Sequence, residues 1–271
     1  MKKLLFSLSL LSFLTVSATD NPPVGARAQG MAGCGTALYG DLWGTQNNQA
    51  GLAFIKNFQA GAFYESRFLV SDLGMKAFGA AMPTKAGTFG LNVTSLGLGN
   101  LYSENKAGLG FAKSFGPKFA ASAQIDYLYT HLAENYGNAS TACGEIGLLA
   151  QPYRNLWLGF HIFNITRSKL SGNVDEHIPT IMRLGALYGF SDRVFVTVEA
   201  EKDIDFKPVI RGGFEYRPVN NFYIRAGAGT QPGLMAFGCG IVMKKVRLDL
   251  ASTFHSVLGF SPSVSLQYGI E

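Results

Sequence analysis

The chain has 271 residues, of which 47% are hydrophobic and 13% aromatic, whereas only 15% are charged. Its 33 glycines exceed the usual share of about 7%, and its charged fraction is far below the usual value of about 25%. This composition excludes intrinsic disorder and disfavours a large water-exposed surface. After the first twenty residues no apolar run reaches the roughly 18 residues of a membrane-spanning helix, so a closed β-barrel is the remaining way to cross a bilayer.

The first residues are typical of a secretory signal peptide. Lys2 and Lys3 precede an apolar run from Leu4 to Val16, and small residues follow at 16–18. We therefore assign residues 1–18 to a signal peptide, 19–56 to an N-terminal plug or hatch, and 57–271 to a barrel. Without the two lysines the formal net charge of +5 falls by two. The sequence shows no clustered Lys/Arg face, so we expect no nucleic-acid partner.

Residues 19–56 lack the alternation of β-strands. Small residues crowd the stretch 25–33, an Asp-Leu-Trp run occupies 41–43, and residues 47–53 read NNQAGLA. Small side chains allow close backbone packing. We expect this segment to lie inside or under the barrel, with a short helix between Gly40 and Gln46.

From residue 57 onward the sequence alternates between strand and turn. The period of two is clearest at 194–201, where Val194, Val196 and Val198 face one way and Glu199 and Glu201 the other. The breakers predict about fourteen strands, most of the length that a tilted membrane strand needs. These are residues 57–68, 74–82, 87–97, 106–115, 118–131, 142–151, 155–166, 179–189, 194–202, 207–216, 222–229, 234–243, 246–254 and 262–270.

The connections alternate in length. Those after even strands are tight, whereas several after odd strands are long and polar, namely 98–105, 132–141, 167–178 and 255–261. Short turns at one rim and longer loops at the other are typical of bacterial outer-membrane barrels, whose termini lie at the periplasmic rim. The fold class predicted is therefore all-β, a transmembrane antiparallel barrel of about 14 strands with an N-terminal plug, in the outer membrane with both termini periplasmic.

Aromatic residues flank the tight turns. An aromatic girdle at a bilayer boundary explains them, and so does the general preference of aromatic residues for strands. The residues are Phe115, Phe119, Tyr153, Trp157, Tyr188, Phe190, Tyr216 and Phe222.

Charged residues gather on one face of the late strands, which we expect to point into the lumen because Lys or Arg facing lipid is costly. We expect Glu199 and Glu201 beside Arg211, and Glu215 beside Arg225. The set is either a polar conduit or gate, or an ion-pair network that ties the wall to the plug. Its members are Arg183, Glu199, Glu201, Arg211, Glu215, Arg225, Arg247 and Asp249.

Catalytic and metal-binding patterns are weak. Neither G-x-S-x-G nor H-E-x-x-H occurs, and the histidines are dispersed, although Asp126 or His161 could lie in the lumen. Cys34, Cys143 and Cys239 lack zinc-site spacing, which leaves either one disulfide or three buried thiols. We expect no enzyme activity, no metal and no cofactor.

The two ends of the chain resemble a known family. Two sets of stretches are similar to FadL-like outer-membrane proteins, in particular the PorV/PorQ branch of Bacteroidetes-type bacteria. The early set is 25–35, 41–43 and 47–53, and the late set is 213–216, 223–227, 248–251, 258–259 and 263–266. The resemblance implies a fourteen-stranded barrel. It also marks a plug motif at Arg27, Gly30, Met31, Gly33, Asn47 and Gly51. Gln49 departs from the pattern, because the family usually has proline there, and the local turn is expected to be looser.

The resemblance implies two alternative roles. PorV/PorQ relatives serve type IX protein secretion, which predicts exported proteins or secretion machinery as partners and is the reading that the end motifs favour. FadL-like relatives pass hydrophobic molecules such as fatty acids across the outer membrane, which predicts a hydrophobic ligand. Outer-membrane lipid is a partner in both. A third reading, a soluble exported β-protein, predicts a chain that fractionates without detergent.

Overall fold

The computed structural model describes residues 21–98, 102–132, 138–170, 178–230 and 233–270. The signal peptide predicted at residues 1–18 therefore lies outside the described residues. Helices are short and lie before the third strand. They are α1 (Ala26–Gln29), α2 (Gly44–Asn47) and three 3₁₀ helices at Gln49–Phe54, Arg67–Leu69 and Ser71–Leu73. Among the described residues, no helix is long and apolar enough to cross a membrane.

Fourteen antiparallel strands form a closed barrel in which each strand pairs with its sequence neighbours and β1 pairs with β14. The predicted fold class is confirmed. The strands are β1 (Gln59–Ser66), β2 (Gly74–Pro83), β3 (Thr88–Leu98), β4 (Tyr102–Ser114), β5 (Phe119–Leu132), β6 (Asn138–Tyr153), β7 (Leu156–Phe163), β8 (Ile181–Ser191), β9 (Val194–Asp203), β10 (Val209–Val219), β11 (Phe222–Gly229), β12 (Leu234–Met243), β13 (Val246–His255) and β14 (Gly259–Tyr268).

Side chains alternate across the wall as a period of two requires. Apolar residues point outward, and Leu109, Ile125, Leu184 and Phe237 are each about 60–70% exposed. A surface of this kind fits the hydrocarbon of a bilayer and not water. Many inward positions are polar or small, although large apolar residues such as Phe63 and Leu149 also point inward.

The two rims differ. One carries the tight turns 84–87, 115–118, 154–155, 192–193, 220–221 and 244–245, together with the start of β1 and the end of β14; we call it the tight-turn rim. The other carries the longer connections, of which 67–73 and 164–180 are the most extended; we call it the loop rim. Several loops are shorter than predicted, because β4, β6 and β14 begin three or four residues earlier than the sequence indicates.

Seven of the eight predicted girdle aromatics are exposed near the tight-turn rim, but Trp157 is not. Trp157 lies at an inward position of β7 and is buried. Its ring stacks on Tyr39 at a centroid distance of 4.5 Å and meets Phe54 edge-on at 4.9 Å. The prediction for Trp157 is wrong. Side chains alternate between the two faces of β7, and this alternation decides which way a ring points, whereas proximity to a turn does not.

Candidate functional site

Residues 21–56 run through the interior of the barrel. From Asn21 to Ile55 almost every residue is buried or half-buried, and Tyr39 is the exposed exception. The wall makes room for this segment with inward glycines. A Cβ at any of nine of them would come within 3.2 Å of an atom of the segment: Gly61, Gly79, Gly90, Gly147, Gly159, Gly185, Gly213, Gly227 and Gly238. The high glycine content is therefore in part a packing requirement, since these positions have no space for a side chain.

Three residues of the plug motif fold the segment onto itself. The Asn47 side chain accepts from Val24 N–H and donates to Val24 C=O, both at 2.9 Å, which joins the two halves of the segment. Gly33 has φ of +85°, a conformation that favours glycine. A Cβ at Gly51 would lie 2.5 Å from the Leu38 carbonyl oxygen.

Two others contact the barrel wall. The Gly30 Cα lies against Gly238, where a Cβ on either glycine would be 3.1–3.2 Å from the other's Cα. Met31 packs on Gly213 and Gly227 of β10 and β11; a Cβ on either would be 2.5 Å from a Met31 atom. Gly30 and Met31 therefore lie where the segment meets the inner face of β10 to β12.

Arg27, the last residue of the plug motif, ties the segment to the wall by charge. Its Nε and Nη2 donate to the two carboxylate oxygens of Glu215 on β10 at 3.0 and 2.7 Å, and its Nη1 donates to Asp41 at 3.1 Å. Burial lowers the pKa of the Arg27 guanidinium, but the Glu215 and Asp41 carboxylates outweigh it and hold the pKa above its ordinary value. The forked geometry matches bidentate Arg–carboxylate pairing.

The wall continues this ion-pair cluster with residues of β10, β11 and β13, and the contact from β11 to β13 passes over the inner face of β12 at Gly240. Arg225 Nε lies 2.6 Å from Glu215 and its Nη1 2.9 Å from Asp249, while Arg247 Nε lies 2.8 Å from Asp249. Both guanidinium groups lie over the Tyr223 ring, at 5.6 and 5.1 Å. With Arg27 and Asp41 the cluster holds three arginines and three carboxylates, so it is electrically balanced.

A second cluster joins β8, β9 and β10. Glu201 accepts a hydrogen bond from Arg183 Nε at 2.7 Å. Its two oxygens also accept one hydrogen bond each from the Arg211 guanidinium, at 2.8 and 3.1 Å. Glu199 lies 3.9 Å from Arg211 and accepts from two backbone amides of the segment, Gly35 and Thr36, at 3.0 and 2.9 Å. All eight charged residues predicted to face the lumen do so, and both predicted pairings occur in the structure.

A third polar cluster lies on β4 to β7, and sequence reasoning missed most of it. Lys106 Nζ lies 3.0 Å from Glu145 Oε1 and 2.9 Å from the Asn21 side-chain oxygen. The other oxygen of Glu145 contacts His161 Nε2 at 2.8 Å and accepts from Gln49 Nε2 at 2.6 Å. Alternation of polar residues along β4 and β6 would have indicated Lys106 and Glu145, whereas Gln49 is identified only once the path of the segment is known.

Gln49 does not loosen its turn. It begins the 3₁₀ helix at Gln49–Phe54, where the Asn48 side chain accepts from Ala50 N–H at 3.2 Å. A proline at this position would supply no donor to Glu145. The departure from the family pattern therefore adds a contact between the segment and the wall.

The three cysteines are free thiols, so no disulfide forms among them. Cys34 and Cys143 are buried, and Cys239 is half-buried on β12. Within the described ranges, no group of three or more His, Cys, Asp or Glu side chains is placed to hold a metal ion.

An apolar cluster lies beneath the loop rim, on the side of β5 to β8. The pairing of β6 with β7 begins at Ile146–Ile162, whereas the pairing of β6 with β5 continues to Asn138–His131. The wall is therefore lower at β7 than at β6, which leaves a notch above β7. Ile165, just after β7, lies at this notch and its N–H donates to Gly144 C=O at 2.9 Å. The buried side chains behind the notch are Leu128, Ala139, Cys143, Phe163, Leu170, Ile178 and Ile181.

Beside this cluster is a small cavity of about 30 Å³, lined in part by Met75, Leu96, Leu128 and Phe163. A space of this size holds about one water molecule. The balanced clusters and the segment fill the middle of the barrel. The described cavities of 210–240 Å³ lie at the two rims.

The sequence matches no protein-family model and no curated protein. The fold, in contrast, is that of several solved bacterial proteins. The toluene transporter TodX of P. putida superposes with a TM-score of 0.72 at 13% identity, over 93% of this chain and 100% of that chain. The toluene transporter TbuX of Ralstonia pickettii gives 0.72 at 12% identity over 93% and 100%.

A Pseudomonas aeruginosa FadL homologue gives a TM-score of 0.69 at 12% identity, over 92% of this chain and 99% of that chain. At such identities the likeness shows the fold. The fold and the interior together define the class of the protein. It is a closed fourteen-stranded barrel of FadL-type architecture, and its N-terminal segment fills the interior.

Proposed function

We propose that this protein lies in the outer membrane, with the tight-turn rim and both termini facing the periplasm, and passes hydrophobic small molecules across it. The apolar outer face and the aromatic residues at the tight turns support insertion in a bilayer. Short periplasmic turns and longer external loops are the rule for bacterial barrels, which supports the orientation. The fold shared with toluene transporters supports the substrate class, by analogy of architecture.

The observation that carries the proposal is the apolar cluster behind the notch above β7. Phe163 and Leu128 line both this cluster and the neighbouring cavity, and their apolar surface beside a low point in the wall offers a hydrocarbon a place of entry. Lys106 and Glu104 also line the cavity, so the apolar surface borders the third polar cluster. The cavity is too small for a benzene ring at rest. Entry therefore requires the covering residues Leu170 and Ile178 to move away from Phe163.

The filled interior argues against a general pore. A polar solute would have to displace a segment held by ion pairs and backbone hydrogen bonds, such as those of Arg27 and Glu199. A hydrophobic molecule gains nothing from such a route, because it cannot replace those hydrogen bonds. The protein is therefore selective for small molecules that partition into apolar surface.

Toluene binding to the purified protein tests this proposal. We expect saturable binding by the wild-type protein, and a loss of about tenfold in affinity for Phe163→Asn, since an amide replaces apolar contact area. The matched control is Tyr39→Asn, which removes an aromatic ring at the opposite rim and is expected to leave affinity unchanged. Absence of saturable binding in a folded wild-type protein, or equal losses in both variants, would refute the assignment.

A role in type IX secretion is the second candidate. The end motifs that resemble the PorV/PorQ branch support it, and so does an interior that is filled and electrically balanced, because a docking protein needs a stable wall and no passage. Co-purification of exported proteins or secretion machinery in stoichiometric amounts, and loss of secreted proteins on deletion, would favour this role. Unchanged secretion on deletion would exclude it.

A further inference from the structure

Basic side chains are concentrated at the tight-turn rim. Among the described residues this rim carries nine Lys or Arg and one acidic residue, Asp192. The basic residues, which we call the basic ring, are Lys56, Lys85, Lys113, Lys118, Arg154, Arg193, Arg217, Lys244 and Lys245. The loop rim is mixed: its described Lys and Arg residues are interspersed with Asp72, Glu104, Asp203 and Asp205.

No local pattern predicts this surface, because the nine residues are spread over almost 190 positions of the chain. The barrel topology brings them together. Five of the six hairpin turns at this rim contribute at least one basic residue, Arg217 lies near the end of β10 before the sixth turn, and consecutive turns lie side by side around the circumference. The expectation that no clustered Lys/Arg face exists is therefore wrong, since the clustering is in space and not along the chain.

The arrangement indicates the shape of the partner. A soluble protein partner would contact one sector of the rim, and basic residues would then be needed in that sector alone. Here five of the six tight turns, Arg217 beside the sixth and Lys56 before β1 carry positive charge, so the partner surrounds the barrel. A lipid leaflet is the partner that surrounds a membrane barrel on every side.

The aromatic residues beside the basic ring indicate that it lies at the level of the lipid headgroups. Phe115 and Tyr153 are 60% and 72% exposed next to basic turn residues, and Phe190 repeats the pattern beside the turn that carries Arg193. Aromatic rings favour the boundary between hydrocarbon and headgroups. Side chains one or two residues further out, such as Lys118 and Arg154, then reach the headgroup phosphates.

We propose that the basic ring binds the phosphates of anionic glycerophospholipid headgroups, with phosphatidylglycerol as the representative lipid, in the leaflet around the tight-turn rim. The proposal rests on membrane insertion and orientation as proposed above, and does not depend on which compound the barrel transports. Glycerophospholipid is the occupant because short turns face the periplasm, where the leaflet consists of such lipids. Each Lys or Arg near an anionic surface favours association by about fivefold.

The test is lipid retention by the full mature protein. The protein is reconstituted in vesicles of equal phosphatidylcholine and phosphatidylglycerol, and the lipids that remain bound are counted by native mass spectrometry. We expect wild type to retain phosphatidylglycerol over phosphatidylcholine by about fivefold or more at low salt, with the preference falling in high salt. A quadruple variant, Lys85→Gln, Lys118→Gln, Arg154→Gln and Arg193→Gln, is expected to lose most of that preference.

The matched control neutralises four exposed basic residues at the loop rim: Lys76→Gln, Arg167→Gln, Lys169→Gln and Lys207→Gln. We expect it to keep the preference. Folding of every variant is checked by heat-modifiable migration on a gel, and the salt dependence of wild type tests the proposal without any variant. No preference in inserted wild type, or equal loss of the preference in the control variant, overturns the proposal. Failure of wild type to insert in vesicles at all would instead overturn the proposed function.

Discussion

Arg27 and Glu215 are 188 positions apart in the chain, yet two hydrogen bonds of 3.0 and 2.7 Å join the Arg27 guanidinium to the Glu215 carboxylate. The pair connects the N-terminal segment to β10. Glu215 also accepts from Arg225 at 2.6 Å, so the same carboxylate is held from the wall side. This relationship makes the segment part of the barrel's interior structure.

Replacing Arg27 by Gln should loosen the segment. The change leaves Asp41 without its cation and removes one of the arginines around Glu215, and breaking a buried pair typically costs about 3 kcal/mol. We expect limited proteolysis to cut within residues 21–56 of the variant at a protease dose that leaves wild type intact. Arg193→Gln at an exposed turn is the control and should behave like wild type. Equal resistance of the Arg27 variant would contradict the pairing.

Adjacent glycines on β10 provide a test of packing. A Cβ at the inward Gly213 would lie 2.5 Å from Met31 Cβ, whereas at the outward Gly212 the nearest atom is 3.9 Å away. Valine at 213 should therefore lower the free energy of unfolding by about 1–3 kcal/mol, as overpacking does, and valine at 212 should not. Urea unfolding in detergent micelles measures both. Similar losses at the two positions would mean that the segment does not pack on β10 as described.

The segment should also control conductance. Because residues 21–56 fill the lumen, wild-type protein in a planar bilayer is expected to show no large steady conductance. Deletion of residues 24–54 should produce steady channels, since water would replace the segment. Steady channels of equal size in the wild type would show that an open path passes the segment.

The reactivity of the Cys34 thiol tests how tightly the segment packs in the barrel. Burial raises the pKa of the Cys34 thiol, and the Glu199 carboxylate adds to the rise while Arg211 opposes it. An ordinary thiol has a pKa of about 8.5, so it reacts rapidly with maleimide at pH 9. In a Cys143→Ser, Cys239→Ser background we expect Cys34 to stay unlabelled at pH 9 until the protein is denatured.

The positive control for that experiment adds Thr84→Cys at an exposed turn, which should label at the ordinary rate. Labelling of Cys34 at the same rate as the control, in folded protein, would mean that the segment leaves the lumen readily.

Much of the barrel could be predicted from the sequence. The bounds of β11 and β12 match the predicted ranges 222–229 and 234–243, because asparagine, proline and glycine mark both ends of β11 and the start of β12. The start of β4 at Tyr102 could not be predicted, since residues 102–105 are polar and resemble a loop. Strand pairing continues there because the backbone hydrogen bonds of the ladder do not depend on apolar side chains.

In the interior, contacts between neighbouring strands could be predicted from the sequence, whereas contacts of the N-terminal segment could not. Pairs on adjacent strands, such as Glu215 with Arg225, follow from antiparallel register and the period of two. Arg27 with Glu215, and Gln49 with Glu145, depend on how a segment without regular structure threads through the barrel. No local pattern encodes that path. The same holds for the basic ring, which exists only once the turns are placed side by side.

Uptake of toluene by whole cells is the direct test of transport. Radiolabelled toluene uptake is compared among the host strain, a deletion strain, and the deletion strain carrying either wild type or Phe163→Asn. Uptake of a polar sugar of similar size is the parallel measurement. We predict that deletion reduces toluene uptake, that wild type restores it, that Phe163→Asn restores it only in part, and that sugar uptake does not change. Toluene uptake that is the same with and without the protein would contradict the account.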